Sequence, residues 1–105
     1  EFEKKLKLFN IRFIDLVQEA PKHVDTRNNA LKIARHIADN PGLREELLRK
    51  KALPGSQLTN DLSVTLKMLK RSRKFIIAAV LIFDSDMDLL KQYISNVEGG
   101  AANDI

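Results

Sequence analysis

Apolar residues recur along this chain three or four positions apart, and nowhere do they alternate with polar ones over the length of a strand. That period belongs to helices with one buried face, so the fold class expected is all-α. Leu6, Leu8 and Phe9 mark a first helix. Asn10 is a natural stop for it, because asparagine tolerates the left-handed conformation that closes helices. Phe13, Leu16 and Val17 mark a second helix, which Pro21 ends. The pattern equally permits one helix running through Asn10. Asp25 or Thr26 suits the cap of a third helix, with Ala30, Ile33, Ala34 and Ile37 on its inner face. Asn40-Pro41 closes it and opens a fourth, with Asn40 as N-cap and Pro41 in the first turn, where a missing N–H costs nothing. Leu43, Leu47 and Leu48 are the apolar stripe of that helix.

Leu53-Pro54-Gly55-Ser56 interrupts the pattern again, and a short helix beginning at Pro54 or Ser56 runs to about Leu62. Ser63-Val64 is a turn, and Thr65 caps a long helix buried through Leu66, Leu69 and the run from Ile76 to Phe83. Asp84-Ser85-Asp86 breaks that helix, and Leu89, Leu90, Tyr93 and Ile94 mark a last one. The architecture expected is a compact multi-helix domain over residues 1–97 that contains a C-terminal helix-turn-helix, followed by a flexible tail, 98–105, with Gly99-Gly100-Ala101-Ala102 in it. A chain of 105 residues has the length of one domain. Its longest apolar run, Phe75 to Phe83, is nine residues, far short of the roughly 20 that cross a bilayer, so direct membrane insertion is not expected.

Charge sharpens the picture at one place. The net charge of +4 is the remainder of a very uneven distribution, in which residues 49–74 alone hold eight basic residues and one acid. Lys67, Lys70, Arg71, Arg73 and Lys74 put five cations in ten positions, on the helix that follows the turn, with no acid to pair them at i,i+4. An unneutralised basic helix after a short helix and a tight turn is what a major groove accepts, so DNA is the partner this pattern favours over a merely solvated face. Thr65, Lys67, Met68 and Arg71 lie near the start and outer side of the helix, where base edges are reached; Lys70, Arg73 and Lys74 suit phosphates. Arg49, Lys50 and Lys51 precede the motif and are candidates for the flanking backbone.

Other chemistry is thin. There is no cysteine, hence no disulfide or thiolate metal site. His23 and His36 are thirteen residues apart and form no i,i+3 or i,i+4 pair, so both read as histidines at helix edges rather than ligands. Asp84, Asp86 and Asp88 look like the start of a calcium loop, but Leu89 and Ser95 stand where its glycine and closing glutamate belong. Neither a phosphate-binding glycine loop nor a nucleophile elbow is present, and no enzyme, cofactor or small-molecule substrate is expected.

Three segments carry a likeness: Ala20-Pro21-Lys22-His23-Val24-Asp25-Thr26-Arg27, Leu43-Arg44-Glu45-Glu46-Leu47-Leu48-Arg49-Lys50-Lys51-Ala52-Leu53-Pro54, and Arg71-Ser72-Arg73-Lys74-Phe75-Ile76-Ile77-Ala78-Ala79. Together they resemble the C-terminal domain of bacterial alternative sigma factors of the sigma-I type, over roughly residues 2–95. The resemblance implies a cytoplasmic domain that reads the minus-thirty-five promoter element as part of RNA polymerase holoenzyme. It implies restraint by a membrane-anchored anti-sigma factor, in some cellulose-degrading clostridia in answer to extracellular polysaccharide. It also implies that the part binding polymerase core and the minus-ten element belongs to the full-length factor, outside this chain. The family's turn and recognition helix fall on Ser63 to Phe75. Leu66 and Met68 depart from the polar residues often found there, which suits apolar contact with thymine methyls or a different promoter. Val24 stands where a lysine is common. The anti-sigma partner would either cover Lys67 to Lys74 or clamp the N-terminal helices; Phe9, Phe13 and Leu16 are the favoured anchors, since protein interfaces draw on aromatic and aliphatic groups more than on lysine. The competing class is a helical interaction module whose basic face takes an acidic protein and reads no DNA.

Overall fold

A computed structural model of the chain describes residues 2–84, apart from the side chains of Phe2, Phe13, Val17 and Glu19. Among these residues the fold is all-α. Its helices are α1 (Phe2–Lys7), α2 (Phe13–Glu19), α3 (Val24–Asp39), α4 (Pro41–Lys50), α5 (Gly55–Asp61), α6 (Leu66–Arg71) and α7 (Arg73–Phe83). The last helix expected at Leu89, Leu90, Tyr93 and Ile94, the acidic Asp86 and Asp88, and the tail 98–105 lie outside the described residues.

The apolar run becomes the axis of the molecule. Ile76, Ile77, Ala78, Ala79, Val80, Leu81 and Ile82 are consecutive and all buried, so this stretch of α7 is covered on every side rather than along one stripe. It packs on α3, the other long helix, and on α2 and α1. From α3 come Ala30, Leu31, Ile33, Ala34 and Ile37, the inner face the period predicts with Leu31 added. Leu43 and Leu47 of α4 complete that side; Leu48, expected in the same stripe, is exposed. Each large aliphatic side chain so buried is worth about 1.5–3 kcal/mol, and Ile76, Ile77, Val80, Leu81 and Ile82 all belong to the central helix.

The helix ends explain the path of the chain. Asn10 takes φ 59° and separates α1 from α2, which settles the choice between two helices and one. The N–H of Asn10 reaches Lys7 O at 3.0 Å and the N–H of Ile11 reaches Leu6 O at 3.0 Å. This doubled closure satisfies carbonyls that would otherwise be orphaned, and it brings Leu6 and Ile11 together in the core. At the start of α3 the cap is His23, not Asp25 or Thr26; its Nδ1 accepts the Asp25 N–H at 3.3 Å. Asn40 stands at the N-cap position of α4, but its side chain turns the other way, and Nδ2 donates to the His36 carbonyl at 2.7 Å. It therefore closes α3 while Pro41 opens α4. Lys51, at φ 56°, ends α4, and its ammonium donates to the Leu48 carbonyl.

Replacing Ile77, which has no exposed surface, with Ala is expected to cost about 2–5 kcal/mol by leaving a cavity among α7, α3 and their neighbours. Urea unfolding followed by circular dichroism should show a lower midpoint with the folded helical signal retained.

Candidate nucleic-acid interface

The short helix, turn and basic helix of the sequence are present as α5, residues 62–65 and α6. Leu58 of α5 is buried; Leu62 and Val64 of the linking segment pack on the core, and the Val64 N–H closes a tight turn on the Leu62 carbonyl at 2.9 Å. Thr65 caps α6 as its sequence position suggests, with Oγ1 accepting the Met68 N–H at 3.1 Å. Gly55, the first residue of α5, lies so close to the start of α6 that a Cβ there would stand 3.0 Å from Leu66 Cδ2. The two helices are thus fixed to each other at their beginnings.

The long basic helix is not continuous. Ser72, at φ −106° and ψ 18°, separates α6 from α7 by a single residue, although its own N–H still reaches Met68 O at 3.1 Å. Ser72 is buried, so the joint is packed from outside. Arg73 and Lys74 consequently stand on the central helix, while Lys67, Lys70 and Arg71 stand on the short one.

On α6 the inner face is Leu69, with Met68 half-buried beside it and Ser72 just beyond. At about 100° per residue, that choice turns Lys67 and Lys70 directly outward and leaves Leu66 and Arg71 on the two shoulders. Two sequence expectations change places here. Leu66, expected in the core, is 63% exposed; Met68, expected outward, packs against the core. The cause is where the helix begins. With Thr65 as cap, Leu66 is its first residue and lies over Gly55, beyond the reach of the α7 core.

Lys74 is engaged elsewhere. Its ammonium lies 3.6 Å from Asp15 Oδ2, tying the start of α7 to α2. Asp15, buried at 4% exposure, also accepts the Arg12 N–H at 2.9 Å and the Arg12 guanidinium at 3.2 Å. Of the preceding cations, Lys50 pairs with Glu46 at 3.7 Å, and Lys51 lies 5.7 Å over the Phe9 ring. Phe9 itself is a core residue and Leu16 is half-buried against the core, so neither offers the free anchor expected of it; the Phe13 side chain is not among those described. Among the described side chains of the same segment, Leu8 and Ile14 are the exposed large apolar ones, at 64% and 48%. Period alone does not separate these from their buried neighbours. His36 pairs with Asp61 at 3.0 Å, linking α3 to α5, and no group of three or more potential metal ligands occurs among the described residues.

No family model matches the chain. Individual relatives do. RNA polymerase sigma factor SigI4 of Acetivibrio thermocellus is 44% identical over 93 residues, which is 89% of this chain and 34% of that protein. RNA polymerase sigma factor SigI2 of the same organism is 41% identical over 102 residues, 97% of the chain and 38% of that protein. RNA polymerase sigma factor SigI of Bacillus subtilis is 40% identical over 96 residues, 91% of the chain and 38% of that protein. This chain belongs to the sigma-I type, as a C-terminal domain. The sigma-I domain spans little more than a third of the length of the relatives it matches. Among its described residues no helix is long and apolar enough to cross a membrane.

Two carboxylates hold the frame of the sigma-I domain around α6. The backbone N–H of Arg12, then its guanidinium and the charge of Lys74, hold the Asp15 carboxyl below its usual range. Hydrogen bonds from His36 and then Gln57 do the same for Asp61. A carboxyl with a lowered folded-state pKa contributes stability that is complete above its unfolded value, about 3.9, and is lost as pH falls through the folded value. Stability is therefore expected to drop below about pH 4. An Asp15→Asn variant should be less stable near neutrality and show a shallower acid limb, read from thermal unfolding midpoints across a pH series.

Proposed function

We propose that the sigma-I domain reads the minus-thirty-five element of promoters for an alternative RNA polymerase sigma factor, with α6 in the major groove. It acts by binding and performs no catalysis. The observation that carries this reading is the exposed side of α6, where Lys67 and Lys70 turn outward and Arg71 stands exposed on a shoulder, on a helix that Thr65 caps and Leu69 seats. The kinship with sigma factors supports it. Lys67, Arg71 and Thr65 suit base edges, and of Leu66 and Met68 it is Leu66 that is exposed and available to a thymine methyl. Lys70 and Arg73 suit phosphates; Lys74 contributes from its place beside Asp15. Polymerase core is reached through the rest of the factor.

Lys67→Ala and Lys70→Ala separate these roles. Removing the Lys70 ammonium should weaken every duplex about equally and lower the slope of log K against log salt by about 0.9. Arg71→Ala should cost about 1–3 kcal/mol on the preferred duplex and relax discrimination at one or two base pairs. Anisotropy titrations against a duplex selected from a random pool and a scrambled one decide it. A slope that stays put in all three variants would return the basic face to the competing reading, a docking surface for an acidic protein.

Restraint by a membrane-anchored anti-sigma factor in the cytoplasm completes the proposal, and the exposed Leu8 and Ile14 supply anchors in place of Phe9 and Leu16, beside the Phe13 expected from the sequence. Leu8→Ser with Ile14→Ser is expected to weaken binding to the cytoplasmic domain of the cognate anti-sigma factor at least tenfold in a calorimetric titration, with the unfolding midpoint unchanged. Undiminished affinity would place the partner elsewhere.

A further inference from the structure

The turn between α1 and α2 meets the start of α7 in an open cleft of about 360 Å³, lined by Lys7, Asn10, Ile11, Arg12, Asp15 and Lys74. We infer that this cleft is a second DNA contact, a seat for the phosphodiester backbone of the duplex whose major groove receives α6. The inference rests on the reading of α6 given above.

Its chemistry selects an anion. Three cations converge on the cleft from three elements: Lys7 from the last turn of α1, Arg12 from the cap position of α2, and Lys74 from the first turn of α7. Asp15 is the one acid among the described lining residues, and it is already served by the Arg12 N–H, by Arg12 Nη2 at 3.2 Å and by Lys74 Nζ at 3.6 Å. The described lining residues therefore carry three positive charges against one negative. Asp15 also serves as a post. By holding Arg12 and Lys74 from below, it fixes two otherwise flexible side chains near one point, which removes part of the entropy an anion would have to overcome. The Arg12 side chain is nonetheless 76% exposed, so its guanidinium remains open to solvent above Asp15. Arginine in this position offers a fork of donors, of which the structure uses only part.

Its position selects DNA among anions. Lys74 follows the buried joint Ser72 by two residues, so the cleft begins where α6 ends. A duplex that accepts α6 must carry one of its strands past that end of the helix. Cations that flank a helix seated in the major groove suit the phosphates beside it. Here the turn between α1 and α2 brings Lys7 and Arg12 beside Lys74. Lys7 and Arg12 do not stand out in the charge pattern, because they lie in a stretch where acids nearly balance bases; only the fold brings them beside Lys74.

The test uses the 105-residue chain and a duplex selected from a random pool, in an anisotropy titration over a series of salt concentrations. Lys7→Gln and Arg12→Gln are made singly and together. Arg12→Gln also removes a bond to Asp15, whereas Lys7→Gln leaves the Asp15 pairs in place and keeps the test open if the other variant unfolds. Each variant is expected to bind several-fold more weakly on every duplex, with the salt slope lower by about 0.9 for each phosphate no longer neutralised and base preference unchanged. Replacing flanking phosphates one at a time with neutral methylphosphonates should weaken the parent at one or two positions where Lys7→Gln is indifferent. If the parent binds but both variants keep its slope, the cleft is not a DNA contact and the reading of α6 stands. If the parent binds no duplex, both fall. If millimolar inorganic phosphate shifts the Arg12 side-chain resonances while Lys7→Gln leaves duplex affinity and slope untouched, the cleft is a small-anion site and the inference is overturned.

Discussion

Complete burial of residues 76–82 within α7 is the constraint from which the remaining structure follows. A helix with Ile76 to Ile82 all out of water cannot sit on a surface; it has to be surrounded, and α1, α2 and α3 are the walls. The proposed reading helix is attached to the end of this axis by one residue. Because Ser72 is itself buried, α6 has little freedom to swing, and its orientation is set by the same packing that holds the core. The site and the fold are therefore one object. Leu69 and Met68 seat α6 from beneath, and Gly55 admits Leu66 at its start.

Ion pairs do the joining that apolar contacts leave undone. Asp15 ties α2 to α7 through Lys74, Asp61 ties α5 to α3 through His36, and Arg44 reaches across to Asp84 at 3.6 Å while donating to the Ala38 carbonyl at 2.6 Å. Each pair links elements far apart in sequence. Pairs as exposed as those of Asp61 and Arg44 contribute little to stability, about 0–1 kcal/mol, and their effect is to fix how neighbouring helices are set. The pair at Asp15 differs, since that carboxylate is buried and its removal leaves Arg12 and Lys74 without the group that holds them.

Much of this is legible in the chain. Asn10, Asn40-Pro41 and Thr65 announce their helix ends because each acts through its own backbone or an adjacent turn, and the inner face of α3 follows from period alone. What is not legible depends on neighbours distant in sequence or on unusual capping. His23 caps α3 from a position two residues earlier than the usual capping residues suggest. The joint at Ser72 is hidden because serine between arginines carries no breaker signal, and its burial between α6 and α7 shows only in the fold. Leu66 and Met68 both fit an apolar stripe; which one faces inward depends on where Gly55 and the core stand. Lys74 counts as a free cation in the sequence and is claimed by Asp15, fifty-nine residues away, in the fold.

The division of α6 into a seated face and an outward face has an evolutionary consequence. Leu66, Lys67, Lys70 and Arg71 touch little of the core, so exchanges there can alter what is recognised while leaving foldedness almost untouched. Met68 and Leu69 have no such liberty, because any change in them moves the whole helix on its seat. A lineage that copied this domain could therefore diversify its targets through four surface positions on an unchanged scaffold, and paralogues drifting apart in preference need not lose robustness on the way.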